Sequence, residues 1–137
     1  MAPTLRPATL GDVDAVLDLW READAEPTHT DDVEGVTALL AHDPEALIIA
    51  VDGERVVGSV IAAWDGWRGA IYRIAVAPSH RRAGVGRALL REAERHLDAR
   101  GTRRAAAIVV KDHAHAMTFW RGSGWDEQTS RVRFVRG

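Results

Sequence analysis

Residues 81–87 read Arg-Arg-Ala-Gly-Val-Gly-Arg and stand directly before a run of helix-forming residues. A helix N-terminus carries unpaired N–H groups and the positive end of the dipole, so it attracts anions, phosphate above all. Glycine inside a helix costs about 0.8–1 kcal/mol relative to alanine, so Gly84 and Gly86 need a reason. Removing side chains that would keep an anion off the N–H groups supplies one. Arg81, Arg82 and Arg87 add charge and bidentate donors, which makes pyrophosphate the natural guest. A Walker A loop is excluded, because Gly86 is followed by Arg87-Ala88. A dinucleotide fingerprint fails too, because Leu89 stands where its third glycine belongs. Read alone, the hexamer fits a plain strand-to-helix turn with solvated arginines equally well.

The elements that must position this turn follow from periodicity. Residues 4–8 read as a short strand. A helix follows with Val13, Val16, Leu17 and Trp20 on one face, and Thr9 and Asp12 form a capping-box-like pair at its start. Residues 21–32 form a polar loop. A second helix spans about 32–42 with Val33, Val36 and Leu40 on one face, ended by Asp43-Pro44. The period then changes. Residues 46–51, 55–64 and 70–77 are β-branched runs separated by the hairpin signals Asp52-Gly53 and Asp65-Gly66, so three antiparallel strands are expected. The glycine turn leads into a helix over 85–100, with Val85, Leu89, Ala93 and Leu97 on one ridge and Gly101 as C-terminal cap. Residues 105–110 read as a buried strand parallel to 70–77. A fourth helix is expected over 114–121, and the alternation of 130–135 suggests a last strand. The fold class is therefore α/β, a mixed, mostly antiparallel sheet flanked by about four helices.

Composition narrows the partners. A chain of 137 residues is most simply one domain, 1–137. The net charge of -2 argues against a general nucleic-acid binder. The absence of cysteine removes thiol nucleophiles and thiolate metal sites. Apolar runs stop at six residues, and residues 1–10 lack the apolar core of a secretory signal, so no membrane role and a cytoplasmic location are expected.

With its flanks, the turn resembles the acyl-CoA-binding motif of the GCN5-related N-acetyltransferases, Arg/Gln-x-x-Gly-x-Gly/Ala. Here it is Arg81-Arg82-Ala83-Gly84-Val85-Gly86 after a strand ending Ile74-Ala75-Val76-Ala77-Pro78. Residues 5–20 resemble that family's first strand and helix, and 51–66 its second and third strands. From His113 to Trp125 the chain follows the spacing Asn-x-x-Ala-x-x-x-Tyr-x-x-x-Gly-Phe, with Ala116 and Gly124 matching outright. The resemblance implies a GNAT-like fold and transfer of an acetyl group from acetyl-CoA to an amine, by direct attack in a ternary complex. It also implies that the backbone of Ile74, Ala75 and Val76 pairs with the pantetheine arm. The N–H groups of residues 82–87 would hold the pyrophosphate, and an N–H near Val76 would receive the oxyanion. The thioester would lie where the strands 70–77 and 105–110 splay apart.

The chain departs from the family where protons move. The two positions that carry glutamate in many relatives are Ala70 and Ile108, and the family tyrosine, the usual proton donor, is Trp120. An indole N–H has no useful acidity, so Trp120 reads first as packing against the cofactor. The family asparagine is His113, which could act as a base, replace the asparagine as a donor, or simply be a solvated helix-start residue. His113 is thus the catalytic candidate, with His113 and Trp120 also counted among the cofactor contacts. His115 completes a His-x-His pair, but no third ligand is evident and no metal is expected. His29, His42, His80 and His96 read as surface or turn residues.

On the acceptor side, Glu22, Asp24, Glu26, Asp31, Asp32 and Glu34 occur with no Lys or Arg between 22 and 34. Such a rim would draw in a cationic amine, although helix capping accounts for Asp31 and Asp32 equally well. Trp64, Asp65 and Trp67 surround a hairpin tip that could face the acceptor or merely pack. The alternative reading is a non-catalytic acyl-CoA-binding or regulatory module, and a homodimer stays open.

Overall fold

The computed structural model describes residues 2–23, 25 and 27–137, so Asp24 and Glu26 of the acidic stretch lie outside the described residues. The chain divides into two compact units, Met1–Ala107 and Ile108–Gly137. The first contains a five-stranded sheet, β1 (Thr4–Pro7), β2 (Leu47–Asp52), β3 (Arg55–Trp64), β4 (Gly69–Val76) and β5 (Ala105–Ala107). The strands lie in that order, antiparallel from β1 to β4, with β4 and β5 parallel. Three helices belong to this unit: α1 (Val13–Glu22), α2 (Val33–His42) and α3 (Val85–Ala99). The second unit contributes α4 (Ala114–Arg121).

Local chemistry sets the ends of these elements. Asp12 accepts from the Thr9 N–H at 2.8 Å and the Thr9 hydroxyl at 3.0 Å. It also receives Arg6 bidentately at 2.8 and 3.0 Å, which ties β1 to the start of α1. The expected capping pair thus forms, at the head of a short 3-10 turn (Leu10–Asp12) rather than of the α-helix itself. The Asp32 carboxylate caps α2 by accepting the Gly35 N–H at 2.7 Å. At the end of α3, Gly101 takes a positive φ of 82°. The Thr102 N–H reaches back to the Leu97 carbonyl at 3.1 Å and the Gly101 N–H to Asp98 at 2.9 Å, a complete Schellman cap.

The core lies on both faces of the sheet. Val85, Leu89, Ala93 and Leu97 of α3 are all buried, as their spacing requires. The helix comes close at Gly58, where an added Cβ would lie 2.8 Å from Leu89 Cδ1 and 3.1 Å from Val85 Cγ1. The opposite face carries α1, whose Trp20 donates its indole N–H to the buried Ser59 hydroxyl at 2.9 Å.

Three expectations need correction. Val33 is 54% exposed while Val36 and Leu40 are buried. It is the first residue of α2, and periodicity identifies a face without saying where its neighbour ends. The strand expected over 105–110 runs only from 105 to 107. Its ladder ends at the pair Ile71 and Ala107, just before β4 bulges, and an interrupted partner cannot continue a regular ladder. Residues 130–135 form no strand. Alternation states what a strand would bury and does not supply the partner it needs.

Candidate active site

The second half of β4 is shaped by one bulge. Between the β3 residues Ser59 and Ile61 the chain advances two positions, while β4 advances three, from Ala75 back to Tyr72. Arg73 absorbs the extra residue with a φ of 51°, a left-handed conformation costly for any side chain. A buried relay holds it there. The Trp20 indole donates to the Ser59 hydroxyl, which donates to the Arg73 carbonyl at 2.8 Å. The Arg73 side chain turns back over the Trp20 ring, 5.5 Å from its centroid, and donates to both oxygens of Asp31, with Nε at 3.1 Å.

The bulge leaves β4 with an open edge. β5 pairs only with Gly69, Ala70 and Ile71, whereas β4 continues to Val76. The Ala77 N–H points at Val57 of β3, 2.8 Å away. Alternation along a strand therefore turns the N–H groups of Val76 and Ile74 to the other edge, away from β3. Ile74 and Val76 are half-buried and Ala75 is buried.

The glycine turn follows a short 3-10 turn, Pro78–His80. Arg82 and Gly84 both have positive φ, 63° and 80°, while Ala83 between them does not. Alternation of hand between successive residues makes a concave nest of N–H groups suited to an anion. Nothing lies within 4 Å of a Cβ placed on Gly84, so its conformation, not crowding, calls for glycine. The first backbone hydrogen bond of α3 runs from the Ala88 N–H to the Gly84 carbonyl at 3.0 Å. The N–H groups of Val85, Gly86 and Arg87 ahead of it have no backbone acceptor among the described residues.

The three arginines separate. Arg82 and Arg87 are exposed, and neither has a side-chain partner among the described residues. Arg81 instead donates to the carbonyl of Ala23, just beyond α1, at 3.2 Å. A wider network braces the approach to the turn. His80 bridges Ser79 and Asp52, both at 2.8 Å, while Arg55 joins Ser79 at 3.1 Å and Glu22 at 2.6 Å. His80 is the turn residue that the sequence leads one to expect, and it carries this network as well. Its partners are 28 residues away in one direction and adjacent in the other, so no local pattern exposes it.

The remaining candidates divide between the two units. Ala70 lies on β4 opposite Ala63 and beside Ala106 of β5, and neither neighbour carries a titratable group. Ile108, His113 and Trp120 belong to the second unit. His113 is the N-cap of α4, its Nδ1 accepting the Ala116 N–H at 3.1 Å. That bond occupies the Nδ1 lone pair and puts the proton of a neutral ring on Nε2, which makes His113 a donor. Trp120 sits edge-on to Trp125 at 5.1 Å and to Phe119 at 5.7 Å, as a packing residue would. Among the described residues no three His, Asp or Glu side chains gather where they could hold a metal.

The acidic stretch is largely engaged. Asp31 is held by Arg73, Asp32 caps α2 and Glu22 pairs with Arg55, which leaves the cationic lean without support from these three. At the β3–β4 tip, Asp65 accepts the N–H groups of Arg68 and Trp67 at 2.7 and 2.8 Å, and these bonds lower its pKa. Trp67 is 70% exposed, with the Arg68 guanidinium 4.1 Å over its ring.

Comparison with known proteins bears on this arrangement. The model of the acetyltransferase (GNAT) family matches residues 13–125. An acetyltransferase of Sodalis glossinidius, SG1711, is 30% identical over 119 residues, covering 87% of this chain and 84% of that protein. Among solved structures, the PaiA N-acetyltransferase of Thermoplasma acidophilum in complex with coenzyme A superposes with a TM-score of 0.82. It is 13% identical, with 96% of this chain and 94% of that one covered. The aminoglycoside 6'-N-acetyltransferase AAC(6')-IG of Acinetobacter haemolyticus gives a TM-score of 0.79 at 21% identity, with 98% of each chain covered. At such identities these two likenesses concern the fold.

Proposed function

We propose that this chain, which belongs to the GNAT acetyltransferase family, carries the acetyl group of acetyl-CoA to an amine by direct attack, with residues 1–137 working as one domain. It is an acyltransferase by that membership, and its relatives bear the name acetyltransferase. The observation that carries the donor assignment is the open edge of β4 running into a nest of unpaired N–H groups. Ile74, Ala75 and Val76 pair through their backbone with the amide-bearing pantetheine arm, as an added strand would. The N–H groups of residues 82–87, from Arg82 and Ala83 through Gly84, Val85 and Gly86 to Arg87, receive the pyrophosphate, and the free Arg82 and Arg87 guanidiniums add charge. Arg81 serves the same site by fixing the turn to the end of α1. The Val76 N–H, directed away from β3, is placed to stabilise the oxyanion of the tetrahedral intermediate. His113 donates from Nε2 to the cofactor, and Trp120 packs against it. The acceptor is an amine that reaches the site neutral or is deprotonated through water, since Ala70 and Ile108 take no proton. No helix among the described residues is long and apolar enough to cross a membrane, and we place the enzyme in the cytoplasm.

The test compares acetyl-CoA with an acetyl-pantetheine thioester that lacks the phosphates. Arg82→Glu should weaken acetyl-CoA binding about 10-fold or more and leave the pantetheine thioester unchanged, since a charge-assisted contact contributes about 1.5–3 kcal/mol. Equal losses for both ligands would contradict the phosphate role.

A further inference from the structure

β4 carries one proton-bearing side chain for which the roles above have no use. Tyr72 is the only tyrosine of the chain. Its face of the sheet follows from its partners. Ser59 on β3 faces α1, because it accepts the Trp20 indole N–H, so Ile61 and Ala63 face the same way. Ile61 pairs with Tyr72 and Ala63 with Ala70. Tyr72 and Ala70 therefore share the α1 face, two residues apart. Tyr72 is also the first β4 residue past the β5 ladder and the last before the bulge at Arg73. It thus stands where the two parallel strands part. The residue is 50% exposed, and its hydroxyl makes no hydrogen bond among the described residues.

We propose that Tyr72 is a catalytic residue of the acetyl transfer, supplying the proton that neither Trp120 nor a carboxylate at position 70 or 108 can handle. The proposal rests on the acetyl-transfer reading above. The amine lone pair forms the new C–N bond at the thioester carbonyl carbon. Collapse of the adduct breaks the C–S bond and leaves the electron pair on sulfur. The Tyr72 hydroxyl gives its proton to that sulfur, and the resulting phenolate takes the proton shed by the attacking nitrogen. Tyrosine ends as it began, and the net change is one proton moved from nitrogen to sulfur. Phenol suits both halves, being a donor and an acceptor.

The test measures thiol release from acetyl-CoA by the full chain and by Tyr72→Phe. The acceptor panel is a diamine, a peptide with a free α-amino group, a lysine peptide and an aminoglycoside. Acetyl-CoA binding is measured separately by calorimetry. Loss of a proton-transfer group predicts a fall in kcat of about 100-fold. Acetyl-CoA affinity should hold within about twofold. A variant with kcat within about threefold of the parent would overturn the role of Tyr72 alone. So would a loss of turnover matched by an equal loss of acetyl-CoA binding, which would mark a structural residue. A parent that releases no thiol with any of the four amines would overturn the acetyl-transfer reading and this proposal with it.

Discussion

The Ser59 hydroxyl is the smallest group on which the site depends. It is fully buried, accepts from Trp20 and donates to the carbonyl of Arg73, the residue that bears the bulge. Ser59→Ala leaves an indole N–H and a carbonyl unpaired in the core, a loss of about 1–3 kcal/mol. We expect a lower Tm and, beyond it, weaker acetyl-CoA binding at temperatures where the variant stays folded, because the open edge of β4 begins at the bulge. Unchanged binding in the folded variant would detach the relay from the site. The Asp12 carboxylate offers a second measurement at this scale. The Arg6 hydrogen bonds, followed by those from Thr9, outweigh desolvation and hold its pKa well below the usual carboxylate range. A depressed pKa adds stability that is present above the unfolded value, about 3.9, and is lost as pH falls below it. Asp12→Ala should therefore cost about 1 kcal/mol by chemical denaturation between pH 5 and 8, and the difference from the parent should shrink below about pH 4. A gap that stays constant down to pH 2 would be the contrary result. Asp12 is legible in the sequence as the partner of Thr9, whereas Ser59 carries no such signal. The Arg73–Asp31 pair spans 42 positions, and positive φ at an arginine inside a strand-like run has no sequence signal at all.

Elements were legible where a turn residue and a periodicity agreed. α3 is the clearest case, with Gly84 at its head, Gly101 at its end and a buried ridge of four residues between them. Gly84→Ala places a Cβ on a backbone at φ 80° and should cost about 1–2 kcal/mol, weakening acetyl-CoA more than the pantetheine thioester because the nest of N–H groups distorts. Gly58 is a different kind of glycine, one kept small by α3. Gly58→Ala drives a methyl group to within 2.8 Å of Leu89 and should lower stability by about 1–3 kcal/mol, visible as an earlier denaturation midpoint. Periodicity overreached where only a neighbour could decide. Val33 continues the apolar face of α2 past its packed part, 105–110 looks like one strand although its ladder stops at the bulge, and 130–135 alternates without pairing. The bulge is the common physical cause behind the most consequential of these, since it ends β5 and opens β4 together.

For the molecule as a whole, free charge and paired charge lie on different segments. Arg82 and Arg87 are exposed beside a helix N-terminus, whereas Glu22, Asp31 and Asp32 are already engaged. Raising salt from 0.05 to 0.5 M should therefore increase the KM for acetyl-CoA several-fold while the KM for the amine barely moves, because free exposed charges are screened and paired ones attract little. A strong salt effect on the amine would restore the acidic stretch as an acceptor-steering surface. The turn itself was legible, since its nest of N–H groups has a compact signature in Arg81–Gly86, and the proposed donor site rests on it. No comparably compact motif in the sequence points to the amine. The most direct measurement is steady-state turnover of the full chain with acetyl-CoA and the amine panel, following free thiol and N-acetylated product together. We expect the two to appear in equal amounts, at a rate above acetyl-CoA hydrolysis, with at least one amine. Tight acetyl-CoA binding with thiol release no faster than hydrolysis for every amine would contradict acetyl transfer and leave a module that only binds acyl-CoA.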